Sequence, residues 1–81
     1  MDYNKKLTFY DERTLLVVNP KGLLKQLHVP FQVRCIIPSG LIKTNTLVYV
    51  DAVAQHQKFR IMYRVLNQWI PYQHFQIVIR F

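Results

Sequence analysis

Few side chains in this sequence have the type and spacing that bond-making chemistry needs: a nucleophile beside a base, paired carboxylates, or a set of metal ligands. The only serine, Ser39, stands in Pro38-Ser39-Gly40, a composition that turns favour. Asp11 and Glu12 are adjacent, so in an extended chain they point to opposite sides and are badly placed to share a proton. Gly22 and Gly40 are isolated, unlike the glycines of a phosphate-cradling loop. Cys35, His28, His56 and His74 match no metal-binding spacing, and Cys35 falls within an apolar series. The sequence therefore assigns no catalytic residue, no metal, no cofactor and no small-molecule substrate, and it reads as a chain that is not an enzyme.

Binding is the chemistry that is left. Arg60, Met62, Arg64 and Leu66 recur at alternate positions, Trp69 and Pro71 follow within a few residues, and Tyr49 and Val53 flank them on a neighbouring segment. Arginine holds phosphates through a planar fork of donors, and exposed aromatic rings stack on bases. Trp, Tyr, Met and Arg are also the residues enriched at protein interfaces. Charge bears on the choice: eleven Lys and Arg oppose four acids for a formal +7, and from Arg13 onward nine basic residues oppose only Asp51. Such an excess favours anionic partners. The expected function is a non-catalytic binding module that takes nucleic acid through this basic Arg/aromatic face. The alternative is a protein-protein interaction or oligomerisation module, a second copy of the chain included.

Strands must position these residues. A chain of 81 residues, 51% of them hydrophobic, is expected to form one domain over 1–81. A single cysteine cannot form an internal disulfide, which fits a reducing, cytoplasmic setting. No segment has the apolar length of a signal peptide or a membrane span, so neither export nor insertion is expected. The dominant pattern is period-two alternation. It runs through Val29-Phe31-Val33-Cys35-Ile37, through Val48-Val50-Ala52-Ala54, through Phe59-Ile61-Tyr63-Val65 and through Phe75-Ile77-Ile79-Phe81. Leu7 to Tyr10 and Leu15 to Val18 read as short strands parted by Asp11-Glu12-Arg13. Leu23, Leu24 and Leu27 have helical spacing, but too few residues precede Pro30 for a stable helix, so this stretch reads as a loop with at most one helical turn.

Registers follow from placing inward residues opposite one another. A turn at Gln57-Lys58 sets Ala54 against Ile61, Ala52 against Tyr63 and Val50 against Val65, with Asp51 facing Arg64 and Gln55 facing Arg60 on the outer side. A turn at Asn67-Gln68 sets Val65 against Ile70 and Leu66 against Trp69. Tyr63 is then inside and both arginines outside.

Trp69-Ile70-Pro71-Tyr72-Gln73-His74-Phe75 resembles the Trp/Tyr-Ile-Pro-x-x-Tyr-Val stretch of Src-homology-three domains, and Phe9-Tyr10-Asp11 faintly resembles their Ala-Leu-Tyr-Asp-Tyr opening. The likeness covers about residues 46–80 and implies a short strand passing through one 3₁₀ turn into a closing strand. Pro71 matches the proline of that family's peptide groove, whereas His74 replaces the groove tyrosine and the groove tryptophan has no clear counterpart. The fold class expected is all-β: a small Src-homology-three-like barrel of about five to six antiparallel strands.

Overall fold

The computed structural model describes residues 6–79, and within them every regular element but one is a β-strand. The first hairpin joins β1 (Lys6–Asp11) to β2 (Thr14–Val18). Its turn is built by Asp11, whose carboxylate accepts the Arg13 N–H at 2.8 Å. At the far end of β2, the Asn19 side-chain oxygen accepts the N–H groups of Lys21 at 3.0 Å and Leu23 at 2.9 Å. Gly22 supplies the φ of +85° that closes this turn. The chain is thereby folded straight back, and β3 (Leu24–His28) pairs with β2 from Leu24↔Val18 to Thr14↔His28. The loop expected from the leucine spacing is thus a strand. The Asn19 turn aligns it and the backbone ladder to β2 holds it, although most of β3 stays exposed.

The second sheet has β4 (Phe31–Cys35) at its centre, between β5 (Leu47–Val50) and β9 (Phe75–Ile77). Strict alternation holds here, with Phe31, Val33 and Cys35 buried. The third sheet orders β6 (Ala52–His56), β7 (Arg60–Val65) and β8 (Gln68–Pro71). A 3₁₀ turn over Tyr72–His74 then leads from β8 into β9. All pairings are antiparallel, and none of the three sheets closes into a barrel. The described strands number nine, more than the five to six expected, because the segment from 47 to 56 is divided at Asp51 between two sheets and because β3 and the short β8 are strands in their own right. Arg80 and Phe81, placed by alternation in the last strand, lie outside the described residues.

Asp51 marks a β-bulge. Its N–H donates to the Arg64 carbonyl at 3.0 Å, and the next residue, Ala52, is itself paired with Arg64. Two residues therefore stand against one, which shifts the inward phase by a position. Val50 and Val53 both point into the core, so Val53 is fully buried and not part of the outer face. The pairs beyond the bulge are Val53↔Tyr63, Ala54↔Met62 and His56↔Arg60, one residue from the expected register. The next hairpin is off by two, with Val65↔Gln68, Arg64↔Trp69 and Tyr63↔Ile70. Its turn is Leu66-Asn67, with φ of +51° and +63°. That is the two-residue turn whose twist matches a hairpin. A shift of two preserves which side each residue faces, so Ile70 still lies inside and Trp69 outside.

All three sheets contribute to one core. Leu15 and Val17 come from the first, Val33, Phe75 and Ile77 from the second, and Val53, Tyr63, Val65 and Ile70 from the third. Tyr63 stands at the join, edge-on to Phe31 with ring centroids 5.6 Å apart and tilted against Phe75 at 6.1 Å. Ring pairs of this kind contribute about 0.5–1.5 kcal/mol beyond area burial. Among the described residues no helix is long and apolar enough to cross a membrane.

Cys35 is fully buried, and its thiol donates to the Ile37 carbonyl at 3.2 Å. Burial pushes the thiol above its ordinary range, and the thiolate is the reactive form. At neutral pH a disulfide-exchange reagent should label Cys35 only as fast as the chain unfolds; immediate labelling of native protein would overturn this.

Leu66 offers a test of the hairpin geometry. A side chain in the left-handed region costs roughly 1–2 kcal/mol for most residues, and Asn tolerates it best after Gly. Leu66→Asn should therefore stabilise the domain by about 1 kcal/mol, read as a higher midpoint in chemical denaturation. A lower midpoint would mean that Leu66 is held by packing that its exposure does not reveal.

Candidate functional site

The outer side of the third sheet is organised in rows across its three strands. Ala52, Arg64 and Trp69 form one row, and Ala54, Met62 and Pro71 form the next. A small residue on β6 thus lies beside a long one on β7, leaving room for the long side chain to lie over the sheet. Arg64 is engaged by groups from both sides of its row. Its guanidinium sits over the Trp69 ring at 5.8 Å from the centroid, and its Nε donates to the Asp51 carboxylate at 2.7 Å. Both members of this ion pair are partly exposed, so the pair adds at most about 1 kcal/mol of stability. Its geometric effect is larger, because Asp51 and Trp69 together fix the arginine head in place.

Of the residues singled out in the sequence, the structure brings together Met62, Arg64, Trp69 and Pro71. Leu66 lies in the adjoining turn, two-thirds exposed, and Trp69 is about half exposed. Arg60 stands at the opposite end of β7, paired with His56 across the hairpin. Of the two flanking residues, Val53 is in the core, and Tyr49 belongs to the second sheet, where it pairs with Gln32. The bulge separates Tyr49 from the Arg64 row by taking β5 and β6 into different sheets.

Arg60 has a setting of its own. The three residues Gln57-Lys58-Phe59 make the hairpin loop, and the His56 Nδ1 accepts the backbone N–H groups of Lys58 at 3.0 Å and Phe59 at 3.3 Å. The imidazole that does this carries its proton on Nε2. Arg60 follows at φ +67°, a conformation in which a glycine would be unstrained. It lines an open cleft of ≈ 630 Å³ whose other wall is Leu7, Thr8 and Phe9 of β1. The cleft arises because two sheet edges meet at one end and part at the other. At the joined end the Val53 N–H donates to the Glu12 carbonyl at 2.9 Å. Sequence reading missed this site, since strand alternation does not show which sheet edges lie side by side.

Other candidates are dispersed. Ser39 is bound into its turn by reciprocal backbone hydrogen bonds with Ile42, 3.0 and 2.9 Å long. The His74 ring nitrogen Nδ1 lies 3.1 Å from the Ile37 carbonyl, and His28 Nδ1 lies 3.3 Å from the Thr14 hydroxyl. Among the described residues no group of three His, Cys, Asp or Glu side chains could hold a metal ion. No protein-family model, curated protein or solved structure matches this chain, so the face and the cleft stand on their own chemistry.

Proposed function

We propose that this chain is a non-catalytic binding module for single-stranded nucleic acid, with the outer face of the third sheet as the principal contact. The observation that carries this reading is the Arg64 guanidinium held over a half-exposed Trp69 ring. An arginine presents phosphate-matching donors, a tryptophan presents a stacking surface, and the two stand side by side. The charge supports the same reading, because Asp51 is the single acid against nine basic residues from Arg13 onward. Src-homology-three-like architecture belongs to the proposal as well, in an open form. It is supported by the strand of Trp69, Ile70 and Pro71 running through the Tyr72–His74 turn into β9.

Trp69 is the only tryptophan, so its fluorescence reports binding directly. A short single-stranded oligonucleotide should change that fluorescence, with affinity falling as salt rises by roughly 0.7 in log K per log salt for each phosphate neutralised. Arg60→Ala combined with Arg64→Ala should weaken binding to unrelated sequences alike. Asp51→Asn should do the reverse, tightening it by up to about fivefold, because the guanidinium is released from an exposed partner worth at most about 1 kcal/mol. Affinity indifferent to salt and to all three substitutions would reject the reading.

A second reading has its own observation. Leu41 is 93% exposed and Leu66 67% exposed. Gly40, beside Leu41, packs close to Gln68, the residue next to Trp69. Large exposed apolar residues mark protein contacts where they join into one patch, and this reading takes Leu41, Leu66 and Trp69 as such a patch. If a second copy is the partner, light scattering should show mass rising with concentration, and Trp69→Ala should return the chain to monomer while circular dichroism stays native. A wild-type chain that remains monomeric at high concentration removes the homomeric form.

A further inference from the structure

We infer that the cleft between β1 and the β6–β7 hairpin is a separate binding site that holds one nucleotide of the strand, with its phosphate on Arg60 and its base against Phe9. This rests on the nucleic-acid reading above and adds to it a defined pocket at the other end of β7 from Leu66.

The cleft's size and lining select the ligand. Its ≈ 630 Å³ lies within the range of small-ligand sites, about 300–1,000 Å³. Leu7, Phe9 and Ile61 supply apolar and aromatic surface, and Thr8, Gln55 and Gln57 supply amide and hydroxyl groups. Among the described residues no carboxylate lines it and Arg60 has no ion-pair partner. His56 also lines the cleft, and with Nδ1 occupied by two backbone N–H groups its remaining ring nitrogen is a donor. Both nitrogen-bearing rims therefore offer N–H, which suits an anion. An anion with a flat hydrogen-bonding body is a nucleotide: the guanidinium takes the phosphate, the phenyl ring takes a base face, and the glutamines reach base edges.

The backbone gives independent support. Arg60 is kept at φ +67°, where glycine would be free of strain. Strained residues persist where the side chain is needed.

Arg60→Gly separates the two effects, since it deletes the guanidinium and relieves the backbone. Amide chemical shifts would be followed during titration with thymidine 5′-monophosphate, inorganic phosphate, an oligothymidine and an oligouridine. Shifts of Thr8, Phe9, Gln55 and Gln57 are expected with the mononucleotide and with at least one oligomer. The oligomer that binds more tightly tells DNA from RNA as the source of the nucleotide. Arg60→Gly should weaken mononucleotide binding about tenfold while raising thermal stability. Lys43→Ala, which removes one positive charge outside the cleft, should not weaken it. Undiminished binding in Arg60→Gly overturns the proposal, and so does inorganic phosphate binding as tightly as the mononucleotide. Oligomer shifts confined to the Arg64–Trp69 face overturn the cleft and leave the module standing. Absence of shifts with either oligomer overturns both.

Discussion

The arrangement of this molecule depends on the bulge at Asp51. A single chain segment, 47–56, lies along β4 in one sheet and along β7 in another, and it changes sheets where Asp51 and Ala52 both stand against Arg64. Without the extra residue the segment would keep one inward phase throughout. With it, Val50 and Val53 both reach the core, and two sheets share one segment. The same residue shapes the surface, because the Asp51 carboxylate then lies within reach of the Arg64 side chain beside Trp69. The exposed ion pair is a weak stabiliser. What holds the sheets together is the burial beneath it, with Tyr63 between Phe31 and Phe75.

A chain this short has a high ratio of surface to volume, and half of its residues are hydrophobic. The core takes up one side of each sheet and leaves large apolar residues outside. Those left exposed include Leu23 and Leu24 around the start of β3, Leu47 and Tyr49 on β5, and Leu66 and Trp69 around the β7–β8 turn, with Tyr10, Ile36, Ile37, Leu41 and Val78 elsewhere. Scattered apolar residues need no special explanation. The region around the β7–β8 turn differs, because it combines a tryptophan, an arginine held over it and a leucine in a strained turn.

Much of the fold was legible because alternation is a local signal. In β4 and β7 it identified the buried positions, including Tyr63, and it put Arg60 and Arg64 outside. What escaped it were features carried by backbone geometry rather than by hydrophobicity. The Asp51 bulge has no glycine or proline to announce it, and it moved Val53 from the supposed surface to the interior. Leu66-Asn67 opens with a residue that rarely takes the left-handed conformation, so the turn was placed one residue too far along. β3 was hidden because it is held by backbone pairing after the Asn19 turn and little of its surface is buried. The candidate site was legible in part. The row from Arg64 to Trp69 emerged because a two-residue slip preserves facing, but the cleft depends on which sheet edges adjoin, and that is a property of the assembled core.

The residues with positive φ divide into two kinds. Asn45 and Asn67 are of a type that accepts the left-handed region readily, and Gly22 and Gly40 do so without strain. Arg60 and Leu66 are not. They stand at opposite ends of one strand, each in a hairpin loop or beside one where Gly or Asn would serve the backbone better. If only the turn mattered, these two positions would be the simplest in the chain to improve. Local preference conflicts with the fold mainly where a side chain is needed for something else. In this molecule the conflict falls at the guanidinium lining the cleft and at the leucine beside Trp69, the two ends of the proposed binding surface.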